Sequence, residues 1–354
     1  MRRRKPAMIA FMVIACTFVV AIFAYPLAPD KSPNANDMAL ELSARPIGYT
    51  QQFLLIPKSR TPEAKNNLLS LFTGTENPYK LLPINGYQIK NNTVIVRHYI
   101  DEHLEDTLKF SFKDLQLSAL SAADFEKERI TERRYLLGTD RYGRDILSRI
   151  LVGSRVSLAV GVVSVVLSIS LGILLGAAAG WYGGWVDQLI MWLVNIMWSI
   201  PTLLLVFAIT LTIGKGFWEI FIAIGLTSWV SAARLIRGQV MQVKEMEFIT
   251  ATKALGFKDS RIIYHHILPN IAGPIMVIAA ANFATAILVE AGLSFLGIGV
   301  QPPTPSWGLM IKEHYSFLIA GNPLPALLPG MAIMLLVLAF NIVGNALRDA
   351  IDVR

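Results

Sequence analysis

Three stretches of the chain, 156–186, 188–214 and 316–347, contain no Asp, Glu, Lys or Arg. Each exceeds the roughly 20 residues that an α-helix needs to cross about 30 Å of hydrocarbon. Charged residues are 16% of the 354-residue chain, against about 25% in soluble domains. The deficit is uneven, because residues 26–155 are rich in both signs of charge. The pattern predicts one water-exposed insert and a long membrane-embedded remainder. The net charge of +7 is dispersed, with no basic helix or aromatic-lined groove of the kind nucleic acid requires. Cys16 is the sole cysteine, which excludes an internal disulfide and a cysteine-cluster metal site.

The N-terminal segment has two readings. Ala7 to Tyr25 is a charge-free run of 19 residues behind Arg2, Arg3, Arg4 and Lys5, as expected for an anchor helix with its start in the cytoplasm. A basic start before an apolar run also suits a secretory signal, and "VIAC" resembles a lipoprotein cleavage site. Cleavage before Cys16 would leave "TFVVAIFAY" as an oily new terminus, so the uncleaved anchor is the expectation. Further spans are expected near 156–180, 188–212, 217–234, 271–290 and 325–347, giving six in all. Pro201 in "WSIPTLLL" should kink or break its helix. The small residues of "GILLGAAAG" suit close helix packing. Alternation from a cytoplasmic start places 26–155 outside, 235–270 inside and the tail "NALRDAIDVR" inside. In the insert, 91–100 has strand character and 124–137 helix character.

The most informative polar segment is "TATKALGFKDSRIIYHHILPN", residues 250–270. From Glu247 to Leu255 the residues favour helix, with Phe248, Ala251 and Leu255 at three- and four-residue steps on one face. Gly256 stands where a helix commonly ends in a left-handed conformation. Asp259 is expected to cap a second helix through Ile262, Ile263 and Ile267, and Pro269 to stop it. The product is a helix–glycine–helix knob with an apolar face and a basic rim. It suits either a groove on another protein or the surface of anionic lipid.

Ala251, Gly256 and "HILPN" (266–270) resemble the cytoplasmic signature loop of binding-protein-dependent ABC importer permeases. Thr250 and Thr252 stand where that pattern has Glu and a second Ala, and His266 occupies its apolar position. Leu268 and Pro269 match, as does the spacing from Gly256 to Pro269. Glu247, one turn earlier, is the available substitute for the missing acid. "LLGTDRYGRDILSRILVGSRVSLAVG" (136–161), "SIPTLLLVFAI" (199–209), "SWVSAARLIRGQVM" (228–241), "EAGLSFLGIGVQPPTPSWGLM" (290–310) and residues 325–354 resemble the peptide-importer branch of the same family.

The resemblance implies an all-α membrane protein of type I importer permease fold: a five-helix core, an N-terminal anchor helix and an external insert of mixed structure. It divides the chain into an anchor (1–25), an extracytoplasmic insert (26–135) and a permease core (136–354) with its coupling loop at 235–270. It implies a bacterial inner-membrane location, both termini cytoplasmic. It also implies a second homologous permease, two cytoplasmic ATPase subunits that bind ATP and Mg, and an external substrate-binding protein. Nickel, glutathione and antimicrobial-peptide importers share the branch. The phosphate-cradling pattern Gly-x4-Gly-Lys-Ser/Thr is absent, since "IGKGF" (213–217) has neither its spacing nor its hydroxyl; no cofactor is expected in this chain itself. A membrane sensor or scaffold, and a secondary transporter using Glu290, are the readings from other classes.

Other candidates lie on the expected outer side. Glu290 either braces the "GLSFLGIG" turn or contacts substrate. Pro302, Pro303 and Trp307 in "QPPTPSWG" suggest a re-entrant segment at the mouth, with Trp307 alternatively an interfacial anchor. Asp140, Arg144 and Asp145, with Arg141 and Arg149, form either an interfacial brace or a docking surface for the binding protein. The five histidines form no metal constellation in sequence; His265 and His266 point about 100° apart on a helix.

Overall fold

The computed structural model describes residues 5–58, 67–90, 93–116, 122–214 and 216–351. Arg2, Arg3 and Arg4, Lys215 of the Gly-Lys pair and the last three residues of the tail lie outside them. The elements, in chain order, are α1 (Lys5–Ile22), α2 (Ala24–Leu27), β1 (Tyr49–Pro57), α3 (Asn67–Thr73), β2 (Tyr79–Lys90), β3 (Thr93–Asp101), β4 (Leu104–Ser111), α4 (Ala122–Arg129) and β5 (Ile130–Tyr135). There follow α5 (Ile146–Tyr182), α6 (Gly184–Ser199), α7 (Thr202–Ile213), α8 (Phe217–Lys244), α9 (Glu247–Ala254), α10 (Asp259–Ile262), α11 (Leu268–Asn270), α12 (Ala272–Leu296), α13 (Trp307–Ile319) and α14 (Leu324–Ile351). They form two compact units.

The first unit comprises Met1–Val19, Ser154–Glu313 and Leu327–Arg354. Among the described residues α1, α5, α8, α12 and α14 are each long and apolar enough to cross a membrane, and α6 with α7 makes a sixth span if counted as one. That pair bends by 95°. Pro201 supplies the reason: it has no N–H for the helix ladder, and its ring excludes a helical Ile200, which is extended at φ −102°, ψ 128°.

The expected small-residue seam is on α5. Gly172, Gly176 and Gly180 recur every fourth residue and so share one helix face. A Cβ on them would come within 2.5 Å of Ala232 Cβ, 2.5 Å of the Ala233 carbonyl oxygen and 2.8 Å of the Arg237 carbonyl oxygen. Glycine therefore sets how closely α5 and α8 approach, the mechanism by which membrane helices associate without a hydrophobic drive. Arg237 then ties α8 to the start of α6, its Nε and Nη2 donating to the two Asp187 carboxylate oxygens at 2.5 and 2.6 Å. A core of Val160, Val206, Phe221, Ile224 and Leu293 joins α5, α7, α8 and α12.

Three boundaries differ from the sequence expectations. Helix α5 begins ten residues before 156, capped at Asp145. Helix α8 runs on to Lys244 rather than ending at 234, because Ile236, Val240 and Val243 remain buried on its inner face. Helix α13 was not expected: Lys312, Glu313 and His314 make it too polar to read as a span, and the proline-rich stretch ahead hides its start.

The second unit comprises Val20–Gly153 and His314–Ala326. Its centre is a five-stranded antiparallel sheet of order β4-β3-β2-β1-β5. Both faces of the inner strands are covered, as alternation along each strand requires. Leu54, Ile84, Val94 and Val96 pack with Phe112 and Phe125 on one side; Phe53, Tyr99 and Tyr135 pack with Leu42 on the other. The strand expected at 91–100 is β3. The helix expected over 124–137 ends at Arg129, and Ile130–Tyr135 pairs instead with Tyr49–Leu54 of β1. Cross-strand partners override a helical pattern that short.

Candidate functional site

The knob expected from the sequence is built from α9, α10 and the turn between them. Helix α9 ends in two backbone bonds, Gly256 N–H to the Lys253 carbonyl (2.9 Å) and Phe257 N–H to the Thr252 carbonyl (3.2 Å). This is the Schellman pattern, and it needs a left-handed residue after the cap. Gly256 supplies it at φ +76°. The second helix departs from expectation. Lys258, extended at φ −66°, ψ 145°, is its N-cap, without a side-chain cap bond. The carbonyl of Lys258 accepts the Arg261 and Ile262 amides, so Asp259 is the first helical residue, where its charge favours the positive helix end. Pro269 does not stop the rod cleanly either. Residues Ile263–Ile267 widen into a π-turn and α11 carries Pro269 onward, a relaxation that absorbs the missing N–H.

The knob is anchored on one side and bare on the other. Ile249, Ile262, Ile267 and Ile271 are buried with Ala177, Trp181, Ile236, Val240 and Val243 from the ends of α5 and α8. Four buried isoleucines represent several kcal/mol of anchoring at about 1.5–3 kcal/mol each. Trp181 is the hub. Lys253 Nζ lies 4.7 Å from its ring centroid, and Lys244 Nζ donates to its carbonyl at 2.7 Å. Thr252 is buried, its hydroxyl donating to the Ile249 carbonyl at 2.7 Å. His266 is half-buried and stacked on Phe257 at 6.1 Å, and Leu268 packs against the same core.

Outward, the knob presents Glu247, Phe248, Thr250, Ala251, Leu255, Asp259, Tyr264 and Pro269. Leu255 is 72% exposed and Tyr264 69%. The expected apolar face of Phe248, Ala251 and Leu255 is therefore left bare, with Lys258 and Arg261 at its rim. The sequence did not single out Trp181, Lys244 or Tyr264. Trp181 carried one signal, a tryptophan at the end of an apolar span; its meeting with Lys253 is tertiary and left none.

A family model described as binding-protein-dependent transport system inner membrane component matches residues 172–354. The chain belongs to that family. The dipeptide transport system permease protein DppC of Alkalihalophilus pseudofirmus is 46% identical over 215 residues, 61% of this chain and 70% of its own length. The glutathione transport system permease protein GsiD of Pectobacterium atrosepticum is 39% identical over 231 residues, 64% of this chain and 76% of its own. The oligopeptide transport system permease protein OppC of Bacillus subtilis is 38% identical over 215 residues, 61% and 70% of the two chains. Among solved structures, an inward-facing MetNI methionine ABC transporter is similar at 19% identity and TM-score 0.44, covering 57% of this chain and 95% of its own.

The other candidate residues of the permease lie apart from the knob. Glu290, on α12, is fully buried. Ser294 donates its hydroxyl to Glu290 Oε1 at 2.6 Å and accepts the Val300 amide at 3.1 Å. Through Ser294, Glu290 is linked to the turn that follows α12. Pro302 and Pro303, joined by a cis peptide bond, are exposed. Trp307 is 3% exposed, a packed residue rather than an interfacial anchor; Gly308 beside it sits so close to α12 that a Cβ would fall 2.5 Å from Ala291 Cα.

Within the charged cluster at 139–149, Asp140, Arg144, Asp145 and Arg149 are interior and Arg141 is exposed. Asp140 is 0% exposed, Arg144 1% and Asp145 5%, the geometry of a brace, while Arg141 beside them faces outward. Asp140 Oδ1 accepts the Tyr142 and Arg144 amides at 2.8 and 3.0 Å, and Oδ2 accepts Arg144 Nε at 2.6 Å. Arg149 Nε and His314 Nε2 stand 3.8 and 3.6 Å from Oδ2. Burial alone would raise the Asp140 pKa, but the interaction with His314 and the charges of Arg144 and Arg149 carry it down to about 2. Asp145 caps α5, its Oδ2 accepting the Ser148 amide at 2.8 Å. Burial pushes its carboxyl up against the lowering effect of Ser148.

Proposed function

We propose that this permease forms part of the pore of an ABC importer that moves peptides into the cytoplasm. The observation that carries the proposal is the bare apolar face of Phe248, Ala251 and Leu255, held on buried isoleucines within the part of the chain the family model covers. An isolated membrane protein gains nothing from leaving Leu255 in water; a cleft on a partner would cover it. That partner is a cytoplasmic ATPase, one of two, which supplies ATP hydrolysis with its own Mg and nucleotide. When nucleotide binding draws the ATPases together, the knobs move with them. The permease and a second homologous copy then tip between inward- and outward-open arrangements, a rigid-body change driven by different affinity for the two states.

The knob, with Arg234, Arg237, Lys244, Lys253, Lys258 and Arg261 near it, is assigned to the cytoplasmic side with both termini, which suits the positive-inside tendency. The insert then faces outward, beside a substrate-binding protein, with the exposed Pro302–Pro303 segment at the mouth. Di- and oligopeptides are the assigned cargo, as the names of the dipeptide and oligopeptide relatives suggest. Glutathione is the second reading, supported by the name of another relative.

The test is reconstitution in liposomes with the partner ATPases and binding protein. ATP-dependent accumulation of peptides is expected. Assembly without any peptide or glutathione uptake, or a knob that crosslinks to lipid and to no ATPase, overturns the assignment.

A further inference from the structure

A second feature of the first unit is unexplained by coupling. Where α6 and α7 part at Ile200 and Pro201, a cavity of about 100 Å³ opens toward α8 and α12. Its polar lining is Thr202, Thr227, Ser228, Ser231, Asn282 and Thr285. All six are uncharged, and all carry groups able to hydrogen-bond. Asn282 is 7% exposed, and its amide nitrogen donates to Ser168 Oγ at 3.2 Å and to the Ser228 carbonyl at 3.3 Å. Thr227 and Ser228 donate their hydroxyls to the Ile224 carbonyl and Thr285 to the Ala281 carbonyl, so their oxygens remain as acceptors beside Thr202, Ser231 and the buried carboxamide. Broken helices at membrane depth occur where they line a cavity, and the first-turn amides of the half-helix that follows then point at a ligand.

Arg234 stands beside this cavity. Its guanidinium lies 4.5 Å from the ring centroid of Trp198, a lining residue. Among the described residues no carboxylate lies within ion-pair distance of it. Ser231 and Arg234 are three residues apart on α8 and so share a face. The result is a neutral hydrogen-bonding pocket with one cation over an aromatic shelf at its edge. At about 30 Å³ for each water, the pocket admits one peptide unit rather than a whole peptide.

We infer that this cavity is a subsite for the carboxyl-terminal end of a peptide in transit. The hydroxyls and Asn282 take the last peptide unit, and Arg234 over Trp198 takes the terminal carboxylate. The inference rests on the import reading above and deepens it. A pore that accepts many peptides must hold what all of them share, the main chain and its terminal charge. A lining without charge or large apolar pockets makes no demand on side chains.

The test uses the assembled complex in liposomes, with an equimolar library of di- and tripeptides as the probe. Arg234→Gln and Asn282→Leu should each lower peptide accumulation about tenfold, the loss of one charge-assisted or buried hydrogen bond, while the complex still assembles. Arg234→Lys should restore at least half. In a Cys16→Ser background, Ser231→Cys should react with maleimide several-fold more slowly when the library is being transported. Unchanged accumulation in Arg234→Gln, as expected if Arg234 meets only a lipid phosphate, overturns the inference. So does an unprotected Cys at 231 in a complex that imports peptide, even if the Asn282 variant fails to assemble. If the unsubstituted complex accumulates no peptide, the import reading fails first and this one with it.

Discussion

Residues 247–270 and residues 139–149 are both short, charged and set beside a long apolar helix, yet their side chains turn opposite ways. The first segment buries Ile249, Ile262 and Ile267 and leaves Phe248, Leu255 and Tyr264 in the open. The second buries Asp140, Arg144 and Arg149 completely or nearly so and pairs Arg144 with Asp140 inside its own fold. A bare apolar face asks for a partner; a buried cluster of opposite charges is held by its own pairing. The contrast separates a handle from a hinge pin, although composition makes them look alike.

The largest expected effect falls on the pin. Asp140→Asn removes the anion that Arg144, Arg149 and His314 share, and a broken buried ion pair costs about 3–5 kcal/mol. Thermal unfolding in detergent should show that loss at neutral pH. The pH dependence has a definite sign. With the folded pKa depressed to about 2 from its ordinary 3.8, the stabilisation is complete above pH 4 and disappears as pH falls through 2. The gap between wild type and variant should therefore close below pH 4. A gap that persists at pH 2, or equal stability at pH 7, would remove the contrast with the knob.

The handle comes next. Phe248→Asp with Leu255→Asp leaves the buried anchor untouched and places charge on the bare apolar face. Affinity for the ATPases should fall about a hundredfold or more, as for central interface residues, with unchanged thermal stability. Copurification of the ATPases at graded salt reads this directly. If the double variant keeps its ATPases, the bare face has another use.

Gly256→Val should act through the backbone. A Cβ at Gly256 meets no atom within 4 Å, so crowding contributes nothing. A β-branched residue at φ +76° is strained by about 1–2 kcal/mol, and the two rods should change their angle to relieve it. Import and ATPase assembly should fail while membrane insertion remains normal. Gly256→Asn, which tolerates the left-handed region, should keep most of both.

Some of this arrangement was legible in the sequence because its causes are local. Charge-free runs give the spans, Pro201 gives the break, and Gly256 gives the bend between two rods. What the sequence hid depends on distant partners. Nothing around Ile130–Tyr135 announces its pairing with Tyr49–Leu54, and nothing in Asp140, Arg144 and Arg149 distinguishes a buried network from a charged surface. Asp259 failed by a single position, since both it and Lys258 precede the same apolar residues and the backbone of Lys258 does the capping. The polar pocket at Asn282 was scattered over four helices and became one site only when the break at Pro201 opened it.

The smallest expected effect tests how firmly the handle is joined to the membrane helices. Lys253 projects back over Trp181 while Thr250, Ala251 and Ala254 on α9 face outward. A cation at the exposed edge of a buried aromatic ring is worth about 0.5–1 kcal/mol, far less than the isoleucine anchor. Lys253→Met keeps the stem and removes the charge, so folding and ATPase capture should stay near wild type. The knob should instead rock on its apolar base, and motion imposed on it should reach α5 less completely. The readout is the number of peptides imported for each ATP hydrolysed, expected to fall two- to threefold with hydrolysis itself sustained. A matching fall in ATPase capture would place Lys253 on the docking face, and an unchanged ratio would show that the isoleucines alone carry the force.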